Sequence, residues 1–103
     1  MVNISFRSIV NKVPELLNLI DSIRPDVIIG TETWLYKDIQ SSELFPADYT
    51  VYRKDRDSKG GGVLIAVKNE FKSLQVPELD TDCEILWVKL MSNYNKHLYI
   101  CSF

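Results

Sequence analysis

The chain lacks several features that would point directly to a function. Its 103 residues include only two cysteines, Cys83 and Cys101, and one histidine, His97, so no paired spacing predicts a zinc site. Cys101 falls in an apolar run, and we expect buried free thiols rather than a disulfide, which suits a reducing compartment. No apolar run reaches the roughly 18 residues that span a bilayer, and the amino terminus has no secretion-signal pattern. The expected location is therefore intracellular.

An excess of positive charge is also missing. The net charge is −2 at pH 7, so no global basic field attracts nucleic acid. A nucleic-acid partner would need a local basic patch or a bound metal ion. With 46% hydrophobic and 25% charged residues, the composition is that of one ordinary globular domain.

The first third of the sequence predicts a strand, a helix and a second strand. Residues 2–6 alternate weakly as a strand, and apolar positions recur at helical spacing from about residue 12 to residue 24. Asn11 is a candidate helix cap, Pro14 falls in the first turn, and Arg24 precedes a proline that ends the helix. The apolar run Val27 to Thr31 predicts a buried strand.

This order predicts a parallel βαβ unit, with consequences for three polar residues. The carboxyl ends of parallel neighbours meet at one end of a sheet, so we expect Ser5, Arg7 and Glu32 to lie close together. Glu32 stands directly after the buried strand. A carboxylate at the carboxyl end of such a strand is well placed for a ligand site.

The remaining sequence predicts two hairpins. Residues 36–48 indicate a loop, with one helical turn near Ile39. Strands over 49–53 and 62–67 are joined by a hydrophilic loop that closes on Gly60, Gly61 and Gly62, where we expect positive φ or a close backbone approach. A second hairpin is predicted from 84–90 to 97–101, turning at 92–95.

One carboxylate is a sensible anchor for magnesium. This cation prefers oxygen ligands and keeps several waters, so a single Glu32 suffices when a substrate supplies phosphate oxygens. Hydrolysis also needs a base for the attacking water and groups that stabilise the charged transition state.

Several motifs, in order, resemble one family. They run from about residue 3 to the last residue: Arg7-Ser8-x-x-Asn11-Lys12, then Asp26 to Leu35 (DVIIGTETWL), Arg53-x-Asp55-Arg56, and Gly60-Gly61-Gly62-Val63. The chain resembles the amino-terminal half of the endonuclease/exonuclease/phosphatase superfamily, whose members include apurinic/apyrimidinic endonucleases. It is most similar to the endonuclease domain of LINE-type (non-LTR) retrotransposon polyproteins.

The resemblance implies both a fold and an activity. The fold is half of a four-layered α/β sandwich, with a mixed sheet, one βαβ unit and antiparallel hairpins. The activity is magnesium-dependent nicking of DNA, in the nucleus, with Glu32 as metal ligand. Ser5 stands where the family usually has Asn. The family's catalytic His, Asp and Asn lie in the other half, so residues 1–103 are expected to be a truncated, inactive domain.

Other residues have two interpretations. Arg53, Arg56 and Lys59 are placed to reach a phosphate backbone, or belong to a solvated hairpin whose charge Asp55 and Asp57 balance. We expect Trp34 and Trp87 to be core or sheet-packing aromatics rather than base-stacking platforms. His97 lies beside a predicted turn, and we expect it to be solvated.

Two other functions stay open: a non-catalytic interaction module, and a phosphatase relative acting on small phosphorylated molecules. If the chain supplies only half of the sandwich, the sheet that should cover the face opposite the helix is missing. Strands 63–67, 85–90 and 98–100 would then expose apolar side chains to water. Several hundred Å² of apolar surface left unburied forfeits on the order of 10 kcal/mol. On this view the chain is marginally stable or aggregation-prone, and a protein partner or self-association would use the exposed sheet face.

Overall fold

The chain begins with a strand, a helix and a parallel strand. The computed structural model describes residues 1–35, 38–55, 61–76, 85–91 and 97–102. Strand β1 (Val2–Ser5) is followed by a 3-10 turn (Ile9–Lys12), helix α1 (Val13–Ile23) and strand β2 (Val27–Thr31). β1 and β2 pair in parallel, with Ser5 opposite Thr31. The predicted βαβ unit is confirmed.

Helix α1 begins and ends for local reasons. Pro14 lies in the first turn, where its missing N–H costs nothing. The predicted cap Asn11 is wrong: Lys12 precedes the helix, and no side chain caps the first turn. At the other end Arg24 adopts left-handed backbone, with φ 49°, and Pro25 cannot continue the helix. In the described part of the chain, no helix is long and apolar enough to cross a bilayer.

The later strands form antiparallel pairs in two sheets. The elements are a 3-10 turn (Ser41–Glu43), β3 (Tyr49–Lys54), β4 (Val63–Lys68), β5 (Lys72–Gln75), β6 (Leu86–Met91) and β7 (His97–Ser102). The first sheet has the order β1-β2-β4-β3 and the second the order β5-β6-β7. Both predicted hairpins are confirmed, although the turn predicted at 92–95 lies outside the described residues. Strand β5 was not predicted from the sequence.

The second sheet covers the face of the first sheet that was expected to be exposed. Side chains of β2 and β4 alternate between two cores. On the helix side, Ile28 and Leu64 pack in the core that contains Leu16 and Ile20 of α1. The core between the sheets contains Val27, Ile29, Val63, Ile65, Val67, Leu86, Val88 and Ile100. The expected exposure of residues 63–67 is therefore wrong, whereas Leu98 in β7 is exposed. Self-association stays a prediction. The β6–β7 hairpin folds over the first sheet instead of extending it.

The ends of the first-sheet strands are aligned. Ser5, Thr31, Val63 and Lys54 lie side by side in register, and we call this end of the sheet the rim. Near the rim, the hydroxyl of buried Ser102 in β7 donates to the carbonyl oxygen of Gly30 at 3.0 Å. This bond fastens the second sheet to β2 one residue before the strand ends.

Tyr49 anchors the opposite end of the first sheet and makes stability depend on pH. Its Oη donates to the carbonyl oxygen of Pro25 at 2.5 Å. Burial, followed by the charges of Asp48 and Asp26, raises the pKa of the Tyr49 phenol, while Arg24 lowers it in part. Because the folded state prefers the neutral phenol, the associated stability is complete below the unfolded pKa of about 10. It is lost as the pH rises through the raised, folded value.

We therefore expect the free energy of unfolding to fall more steeply with alkaline pH in the wild type than in Tyr49→Phe. Urea denaturation at about pH 8 and about pH 11 measures the difference. The other tyrosines are common to both proteins and cancel in the comparison. Equal slopes for the two proteins would show that Tyr49 does not carry the effect.

Candidate active site

The site forms where the backbone continues beyond β1 and β2. The N–H of Phe6 donates to the carbonyl oxygen of Thr31 at 2.9 Å, and the N–H of Ser8 donates to the carbonyl oxygen of Glu32 at 3.0 Å. The two segments thus stay paired past the last strand residues. This pairing holds residues 5–8 and 31–33 side by side at the rim.

The predicted meeting of Ser5, Arg7 and Glu32 is confirmed. Ser5 Oγ donates to Glu32 Oε2 at 2.9 Å, and Arg7 Nε lies 3.9 Å from the same oxygen. The Arg7 side chain is 81% exposed and that of Glu32 is 49% exposed, so the long Arg7 pair contributes little to stability. Among the described residues, both contacts of the carboxylate fall on Oε2. Oε1 is left for another ligand.

The backbone of this site is strained. Four residues other than glycine have positive φ here: Arg7 (49°), Ser8 (82°), Glu32 (51°) and Trp34 (55°). In the described chain the one other such residue is Arg24, at the end of α1. Left-handed backbone costs roughly 1–2 kcal/mol for a residue with a Cβ. Strain of this kind persists where surrounding structure imposes it, and it is common at functional sites.

Gly61 and Gly62 form the third segment of the site, beside residues 5–8 and 31–33. Trp34 N–H bonds to the carbonyl of Gly61 at 2.9 Å, and Thr33 N–H bonds to that of Gly62 at 3.4 Å. Gly61 has φ 71° and Gly62 has φ 93°, so positive φ is confirmed at both positions. A Cβ on Gly62 would overlap Thr33 Oγ1, which confirms the close approach as well. Gly60 lies outside the described residues.

Exposed and buried side chains alternate over residues 32–35. Glu32 and Trp34 are exposed, whereas Thr33 and Leu35 are buried. The expectation that Trp34 is a core aromatic is therefore wrong: its side chain is 42% exposed. Residues 32–35 show no alternation of polar and apolar types in the sequence, so no sequence pattern marked the exposure of Trp34. Thr33 Oγ1 is buried, and no partner for it is found in the described residues.

Arg53 lies at the same end of the sheet but is not brought to Glu32. It pairs across β4, and the backbones of β2 and β3 are about 10 Å apart. Its guanidinium donates to Asp55 at 2.7–3.2 Å and to Ser41 Oγ at 3.2 Å, with 15% of the side chain exposed. Its phosphate-binding role stays a prediction, and Arg56 and Lys59 lie outside the described residues.

His97 is exposed at the far end of β7. Ser102, near the rim, is five residue steps along the strand from His97, a distance of about 17 Å. Cys101 is half-buried and takes part in no disulfide among the described residues, so the expected burial is partial, and Cys83 lies outside those residues.

The donors at the rim fit a magnesium ion that is anchored by one carboxylate. In the described ranges, no group of three or more His, Cys, Asp or Glu side chains forms a complete protein cage for a metal. Magnesium tolerates such a site, because it keeps waters and takes phosphate oxygens from a substrate. Glu32 would hold the ion, and the Ser5 hydroxyl fixes the orientation of the carboxylate.

Comparison with known proteins places the fold. No protein-family model and no curated protein matches the sequence. A 3′ phosphatase (NExo) from Neisseria, solved with a product DNA hairpin, matches with a TM-score of 0.59 and 14% identity over 95% of this chain. TDP2 from D. rerio, solved with a single-stranded DNA product, matches with a TM-score of 0.54 and 16% identity over 90%.

This chain spans 38% of the length of each of these two solved chains. The likenesses confirm the predicted α/β fold.

Proposed function

We propose that the chain belongs to the endonuclease/exonuclease/phosphatase superfamily, in the LINE-type retrotransposon branch, and carries the metal-anchoring part of a DNA-cutting site. The observation that carries the proposal is the contact of Glu32 with Ser5 and Arg7 where two parallel strands end. Solved structures of similar fold contain DNA products, which supports DNA as the substrate class.

Each rim residue has a distinct role in this proposal. Glu32 holds the divalent ion, and Ser5 holds the carboxylate by donating to Oε2. Arg7 is largely exposed, so its guanidinium is available to a phosphate oxygen of the strand. The chemistry that bound magnesium supplies is Lewis-acid polarisation of a phosphoryl oxygen.

The described residues do not complete a hydrolytic site. They contain no group of three or more His, Cys, Asp or Glu side chains that could hold a metal ion, and His97 lies far from the rim. We therefore propose that these 103 residues bind metal and DNA without turnover. Removal of a phosphate from a DNA 3′ end is the second candidate, because one structure of similar fold is a 3′ phosphatase.

We expect Glu32→Gln to weaken Mn²⁺ binding by about tenfold or more, because the amide keeps the shape of the side chain but loses its charge. Titration followed by electron paramagnetic resonance measures free Mn²⁺. Glu70→Gln is the matched control: it removes an exposed carboxylate after β4, at the end of the sheet opposite the rim. Equal affinity in Glu32→Gln and wild type would overturn the proposed metal site.

The same proteins are assayed on supercoiled plasmid and on an oligonucleotide with a 3′ phosphate, both with magnesium. We expect neither product from the wild type. Nicked plasmid that disappears in Glu32→Gln would contradict the claim of inactivity while supporting the site. Release of phosphate with intact plasmid would favour the second candidate.

Arg7→Ala should change metal and DNA binding in opposite directions. Removing a cation 3.9 Å from Glu32 Oε2 relieves its competition with the metal, so Mn²⁺ should bind about twofold to fivefold more tightly. Loss of one phosphate contact should weaken binding of an oligonucleotide and reduce its salt dependence by about one ion. Titrations at several salt concentrations measure both effects.

Lys72→Ala is the control, since it removes an exposed cation from β5 in the second sheet. If Arg7→Ala weakens metal and DNA binding alike, Arg7 maintains the shape of the rim instead of contacting phosphate.

A further inference from the structure

An exposed tryptophan stands beside the candidate metal ligand. Trp34 follows Glu32 by two residues, and its side chain is 42% exposed. The side chains on either side of it in the sequence are buried: Thr33 is 0% and Leu35 is 1% exposed. The indole is thus kept at the surface by a segment that is otherwise anchored in the core.

The backbone holds the indole in this position at a cost. Trp34 has φ 55°, a conformation that is a genuine outlier for a bulky side chain. Its N–H is bound by the carbonyl of Gly61, and the preceding residue contacts Gly62. Contacts on both sides of Trp34 therefore keep its side chain exposed, unlike an aromatic at a frayed end of a helix or strand. Strained residues are common at functional sites, which favours a functional role for Trp34.

The indole and the carboxylate are both exposed, whereas Thr33 between them is buried. At most about 7 Å separates the Cα atoms of Glu32 and Trp34, because two residues of chain span no more than that. A phosphate that contacts Arg7 and a metal ion on Glu32 would therefore place its attached nucleoside within reach of the indole. Tryptophan is a good partner for a nucleobase, because its wide π-face tolerates any base.

We propose that Trp34 is a nucleobase-stacking residue that selects an unpaired base next to the phosphate at Glu32. This inference rests on the proposed function, since it takes the ligand to be a nucleic-acid strand. An unpaired base is required because the faces of a base inside a duplex are already covered by its neighbours. The site should therefore prefer single strands or frayed ends to closed duplex, without reading sequence.

Trp34 fluorescence tests the proposal. The chain has two tryptophans, so Trp87→Phe leaves Trp34 as the only indole. The probes are a short oligo-dT and an abasic strand with the same number of phosphates, with Ca²⁺ present. We expect oligo-dT to quench the fluorescence and the abasic strand to leave it unchanged. Equal quenching by both strands would overturn the proposal.

Affinity measurements separate stacking from folding. Trp34→Ala should weaken oligo-dT binding by about fivefold to a hundredfold and leave binding of the abasic strand unchanged. Trp34→Phe should keep most of the affinity for oligo-dT, because a ring remains to stack. Tyr99→Ala is the control, since Tyr99 is an aromatic of similar exposure, 49%, in the second sheet. Equal loss on both probes would make Trp34 a structural residue and sink the inference.

The failure of each proposal is distinguishable. Metal dependence of DNA binding, and its loss in Glu32→Gln, report on the proposed function. The difference between oligo-dT and the abasic strand reports on Trp34. Binding that depends on bases but not on metal or Glu32 supports stacking and overturns the metal site, whereas no binding of either strand overturns both.

Discussion

Parallel pairing of β1 and β2 is the constraint on which the candidate site depends. Because both strands run in one direction, their carboxyl ends finish together, and Ser5 lies opposite Thr31. The segments that follow stay hydrogen-bonded, so Ser5 and Arg7 reach the Glu32 carboxylate without any side chain stretching across the sheet. The site therefore depends on strand direction and register more than on the side chains themselves.

The two sheets make this arrangement rigid. β2 and β4 are buried on both faces, by α1 on one side and by the second sheet on the other. Ser102 and the Gly61–Gly62 segment fasten the end of β2 from two further directions. Such support explains how four strained residues are retained around one carboxylate: the energy that holds them comes from packing of the strands behind them.

The sequence predicted what local rules determine. Apolar periodicity and Pro25 located α1, and the direction rule for βαβ units brought Glu32 to Ser5 and Arg7. It failed where long-range packing decides. The β6–β7 hairpin has the same pattern whether it extends the first sheet or covers it, so the second sheet was missed. Trp34 was assigned to the core because residue type favours burial, whereas its exposure depends on backbone angles set by Gly61 and Thr33.

The most direct test of the metal site is where Mn²⁺ broadens the amide signals in a nuclear magnetic resonance spectrum. The account predicts that substoichiometric Mn²⁺ first broadens amides of residues 5–8, 31–34 and 61–62, which surround Glu32. The opposite end of the sheet offers a rival location, because Asp21 and Asp48 line a depression of about 490 Å³ there. Broadening centred on that depression, with the rim unaffected, would contradict the central claim.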